Sequence, residues 1–123
     1  MTTAPEPPHG PGLPQPAGRP EELRATLTRI APDAVATFDA ERAEAVARAR
    51  QEVSSAPMRR FLRQWALHVA IERHPEQAAR LRLLEAMAAK VTDLEEARAI
   101  AAEIGQILDK AAAEAGLPHG GES

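Results

Sequence analysis

Apolar residues fall at helical spacing from residue 20 onward, and the stretch before it has no such period. In "PEELRATLTRI", Leu23, Leu27 and Ile30 stand at i, i+4 and i+7 behind Pro20, a residue suited to a first helical turn. Pro32 restarts the chain, and Val35, Phe38, Val46, Ala49 and Val53 trace the stripe of a long second helix ending near Val53. Ser54, Ser55 and Pro57 punctuate. Met58, Phe61, Leu62, Trp65 and Val69 then give helix three the broadest apolar face in the chain. His74-Pro75-Glu76 predicts a corner, because a residue before proline is pushed out of the helical region while proline itself opens a helix well. Leu81, Leu84, Ala88 and Val91 mark helix four, and Thr92-x-x-Glu95 reads as a capping box for helix five. Helix five repeats by threes and fours through Leu94, Ala97, Ala101, Ile104, Leu108, Ala111 and Ala115, and Gly116-Leu117-Pro118 predicts a Schellman-type stop. No segment alternates with a strand period. The expected fold is all-α, a small bundle of about five helices spanning residues 20–116.

Residues 1–19 hold six prolines and three glycines with little apolar content, so burial cannot offset the entropy of ordering them. A disordered Pro-rich tail is expected there, and a frayed one over 117–123. Pro5, Pro8, Pro11 and Pro14 recur at the polyproline II period, but such spacing arises easily in a solubilising linker. With aromatics at only 2% of the chain and much of the apolar content alanine, helices form readily while burial stays shallow. The absence of cysteine removes disulfides and thiolate chemistry. No secretory leader is apparent at the start, and no apolar run approaches the ~18 residues of a membrane span, so a cytosolic protein without membrane contact is expected.

Candidate chemistry is sparse. His68 and Glu72 lie one helical turn apart, but two ligands do not make a metal site, and a surface pair is the simpler reading. Glu21-Glu22 and Glu95-Glu96 sit in first helical turns, where the helix dipole favours negative charge. Ser54 and Ser55 lack a glycine-rich elbow and a histidine near in sequence, and no glycine loop is built to cradle phosphates. The expectation is a protein that is not an enzyme and takes no metal or cofactor.

Charge is more informative. Between Pro57 and Arg82, Arg59, Arg60, Arg63, Arg73, Arg80 and Arg82 oppose only Glu72 and Glu76, whereas helix five is predominantly acidic. Neighbouring helices of one monomer would account for most of this. Arg59 and Arg60 resist that explanation, since they stand in a first turn where the dipole disfavours cations; a carboxylate-rich helix end or a phosphate would complete them. Trp65 has two readings, as core beside Phe61 and Val69 or as an interface anchor beside the arginines. Scarcity of aromatics puts core first, and Arg59, Arg60, Arg63 and Trp65 are the candidate partner-binding residues.

In "PEELRATL", "APDAVATFDAERAEAV" and "MRRFLRQWALHVAIERHPE" the chain resembles an uncharacterised bacterial family of small helical proteins, some of them encoded beside RelE/ParE-type toxins. Leu23, Leu27, Phe38, Asp39, Leu62, Trp65, Pro75 and Glu76 carry the likeness, and Arg42 departs from it where an aromatic is expected. The resemblance implies an antitoxin-like or regulatory accessory protein with no catalytic residue to transfer. Three functions follow as expectations. The first is binding of another protein. The second is DNA regulation through the arginines of helices three and four, with Gln77 and Arg80 as weak base readers after the His74-Pro75 corner. The third is a structural homodimer through helix five.

Overall fold

The computed structural model describes residues 18–117, so the expectations for the Pro-rich tail and for the residues after Leu117 lie outside it. Five helices follow one another: α1 (Pro20–Ile30), α2 (Val35–Glu52), α3 (Ala56–Glu72), α4 (Pro75–Ala88) and α5 (Leu94–Glu114), with a 3-10 turn at Pro32–Ala34 between the first two. No strand occurs among the described residues, and the all-α bundle is as expected. None of these helices is long and apolar enough to cross a membrane.

Helix α3 organises the molecule. It touches every other helix, whereas α1 and α2 pack on α3 and on each other without reaching α4 or α5. The main core lies in the first group: Leu23 and Leu27 of α1, Phe38 of α2, and Phe61, Trp65, Ala66 and Val69 of α3 are all buried together. On the other side, Ala78, Leu81 and Leu84 of α4 and Ile100 and Ala111 of α5 are buried in the α3–α4–α5 group. Ion pairs staple neighbours across both halves. Arg24 donates two hydrogen bonds to Asp39 at 2.8 and 2.9 Å, joining α1 to α2. Those bonds hold the Asp39 carboxyl below its ordinary range and the guanidinium above its own. The α4–α5 counterpart is Arg80 to Glu103, at 2.7 and 2.8 Å.

Three expectations need correction at helix ends. Val53 does not continue the apolar stripe of α2. It sits just past the helix with φ 50° and ψ 53°, in the left-handed region, and is 90% exposed. The Ser54 N–H reaches back to the Ala49 carbonyl at 3.0 Å and the Val53 N–H to Arg50 at 3.3 Å, a Schellman stop with a β-branched residue where glycine is usual. At the start of α5 the cap is one residue later than predicted: Asp93 accepts from the Glu96 N–H at 2.9 Å, and Thr92 is outside. Leu94, expected in the apolar seam, is 63% exposed, while Ile100, which was not in it, is buried. The stop of α5 is as predicted, with Gly116 at φ 73°, its N–H on the Ala113 carbonyl and that of Leu117 on Ala112.

The Val53 conformation gives a stability prediction. A left-handed L-residue costs roughly 1–2 kcal/mol, part of which glycine gives back through its freer unfolded chain. Because the Val53 side chain is almost wholly exposed, Val53→Gly should stabilise the fold by roughly 0.5–1 kcal/mol. Thermal unfolding checks it: Tm should rise by a few degrees, and a fall would refute the strain.

Candidate protein-binding surface

The start of α3 is built by the loop before it. The Ser54 hydroxyl oxygen accepts from the Ala56 N–H at 3.1 Å, while the Ser55 hydroxyl accepts from the Arg59 guanidinium and does not cap the helix. The first turn holds no acid, so the positive end of the α3 dipole and Arg59 and Arg60 stand together.

Part of the answer to that placement comes from α5, whose end packs against α3. Arg73 and His74, at the α3–α4 corner, meet Glu114 near the end of α5; the guanidinium donates at 3.2 Å and the His74 Nε2 lies 2.9 Å from the same oxygen. Beyond that contact α5 terminates at Gly116, and Ala112 and Leu117 share a groove with Arg60, Arg63, Gln64 and Leu67. The C-terminal end of α5, the negative end of its dipole, therefore shares a groove with Arg60 and Arg63. A helix end supplies partial charges only, and no carboxylate.

Three other arginines of the basic stretch are answered by acids. Arg80 has Glu103, Arg73 has Glu114 and Arg82 has Glu72 at 3.3 Å. The expected neutralisation between neighbouring helices thus accounts for the basic residues of the corner and of α4. Arg60 and Arg63 differ: both are exposed, and neither has an ion-pair partner among the described residues. Arg60 borders a second, polar depression with Glu41 and Glu44, but each of those acids is engaged elsewhere. Glu41 accepts from the Trp65 indole N–H at 2.9 Å, and Glu44 lies 3.9 Å from Arg48.

Trp65 itself is not part of the surface. Its ring is 5% exposed, meets Phe38 edge-on at 5.3 Å and has its one polar atom satisfied by Glu41, so the interface-anchor reading gives way to the core reading. His68 lies against the Trp65 ring at 4.9 Å and Glu72 turns to Arg82, so the His68–Glu72 pair is not assembled. No group of three metal-ligating side chains occurs among the described residues. The structure thus brings Arg59, Arg60 and Arg63 to one end of α3 and removes Trp65 from it.

Sequence reasoning missed the apolar floor beside the arginines. Leu67 carried a usable signal, since it stands four residues after Arg63 and seven after Arg60, on a face distinct from Phe61-Trp65-Val69. Ala112 and Leu117 carried none, because only the return of α5 along α3 brings them there. As for the base readers, Gln77 is half-buried, and Arg80 would have to release Glu103 to reach a groove. Comparison with protein families, with curated proteins and with solved structures gave no match.

Proposed function

We propose that the chain is a non-catalytic accessory or regulatory protein that acts by binding another protein at the basic start of α3. The antitoxin-like role implied by the family resemblance is the specific form of this reading. The observation that supports it is the contrast among the arginines: those of the corner and of α4 are engaged by acids of this chain, while Arg60 and Arg63 stand open beside an apolar floor. A DNA-reading surface would call on Arg80, which is committed to Glu103. Uncommitted guanidiniums next to exposed apolar area are the composition that protein interfaces favour.

The test is capture from the source cells on immobilised wild-type chain and on a variant carrying Arg59→Ala, Arg60→Ala and Arg63→Ala, with the retained protein then purified and re-measured alone. An interaction lost in the variant is expected. Retention of the same proteins by both, or arginine-dependent retention of nucleic acid alone, would count against the proposal.

A second reading, self-association, has its own observation. Leu83 (51% exposed), Met87 and Leu94 leave large apolar side chains uncovered near the α4–α5 turn. Sedimentation over a wide concentration range tests it, and a constant monomer mass at high micromolar concentration would dismiss it.

A further inference from the structure

We infer that the groove beside Arg60 and Arg63 receives an acidic amphipathic helix of the partner, with an apolar side chain on the Leu67–Ala112–Leu117 floor and carboxylates on the two guanidiniums. This rests on the protein-binding reading and adds the chemistry of what is bound.

Charge complementarity selects the sign. Arg60 and Arg63 line one open groove of about 420 Å³ and make no ion pair among the described residues, and the Arg59 guanidinium, already on Ser55, adds to the local positive potential. The planar guanidinium fork matches carboxylate geometry, so an acidic side chain is a fitting counterpart. Polarity then separates a protein segment from a bare anion. Leu67, Ala112 and Leu117 offer no donor side chain to a phosphate, and covering them with apolar atoms is favourable.

The shape of α5 selects a helix. Ala101, Gly105, Leu108 and Ala112 follow one another by fours and threes and so lie along one face of α5, leading into the groove. Ala101 is exposed and the others are half-buried, and a side chain added at Gly105 would meet nothing within 4 Å. That face is partly open, and at Ala101 and Gly105 it leaves room for a second helix to approach closely. Ala112 and Leu117, at the end of α5, line the same groove as Arg60 and Arg63, so a helix seated across that end would bring its acidic residues to the two guanidiniums.

The probe is a fluorescently labelled helical peptide with leucine at i, i+3, i+4 and i+7 and glutamate on the flanks. Its controls are a peptide with serine for leucine and one with lysine for glutamate. Anisotropy titration of the full chain should show saturable binding of the leucine–glutamate peptide only. Arg60→Ala and Arg63→Ala, both at exposed positions, should each weaken it by roughly three- to tenfold. Ala112→Glu, which places a carboxylate in the groove, should weaken it more, with circular dichroism confirming the helical content of each variant. No binding of this peptide, equal binding of the serine peptide, or arginine variants that bind as well as wild type would each overturn the inference. So would a chain ending at Leu117 that binds more than tenfold tighter, since the groove would then belong to the chain's own last residues. If the peptide fails while partner capture remains arginine-dependent, the groove assignment falls and the protein-binding reading stands; if capture also loses its arginine dependence, both fall.

Discussion

Trp65→Ala is expected to destabilise the protein by about 3–5 kcal/mol, the cost of deleting a large buried side chain and leaving a cavity. Few residues could fill that space, because the Trp65 ring is 5% exposed, and Phe38, Phe61 and Trp65 are the only aromatic rings the sequence provides apart from its histidines. The indole also joins α3 to α2 through the 2.9 Å bond to Glu41. That bond is the smaller part, so Glu41→Ala should cost only about 1 kcal/mol. Urea unfolding separates the two. A loss below about 1 kcal/mol for Trp65→Ala would place the ring outside the core and restore it as a candidate partner contact.

Phe38→Ala should cost a similar 3–5 kcal/mol, since the ring has no exposed surface and is the one fully buried side chain of α2. Its centroid lies 5.0 Å from Phe61 and 5.3 Å from Trp65, so the two large substitutions share one cavity. The double variant should therefore depart from additivity by roughly 0.5–3 kcal/mol. Additive losses would mean that α1–α2 and α3 do not form a single core.

Where one chemical preference decides a feature, the sequence made it legible. Helix α1 runs from Pro20 to Ile30 as its period predicts, because Pro20 presets the first turn and Leu23 and Leu27 point one way into the core. The α3–α4 corner at His74-Pro75 and the Gly116 stop were fixed by the backbone limits of proline and the freedom of glycine. Features that depend on which neighbour arrives were less legible. Helix α5 has a wide apolar arc, and its unbroken 3–4 repeat picked Leu94 over Ile100 because α4 and α3 press on different parts of that arc. Val53 fits the α2 period and is nonetheless exposed, since the left-handed stop after Glu52 redirects the chain just before it would pack. The one-residue slip at the α5 cap has a plain cause: Thr92-x-x-Glu95 and Asp93-x-x-Glu96 satisfy the same pattern.

The candidate surface divides the same way. Arg59 and Arg60 were legible as charges placed against a dipole, an oddity visible without any fold. The floor next to Arg60 and Arg63 was not, for Ala112 and Leu117 are about fifty residues away along the chain and arrive only through packing. Trp65 was drawn into the surface by its sequence proximity to Arg63, yet residues two apart on a helix face different ways.

The central claim, that this basic helix start serves a protein partner and not DNA, is tested most directly by titrating the purified chain with duplex fragments from its source genome across a range of salt. With a net charge of −3, an acidic α5 and Arg80 held by Glu103, the chain should bind no fragment better than the non-specific level of about 10⁻⁴ to 10⁻⁶ M at physiological salt. A fragment bound well below that range, with Arg59→Ala, Arg60→Ala or Arg63→Ala abolishing the interaction and lowering its salt slope, would contradict the account and make the chain a DNA-binding regulator.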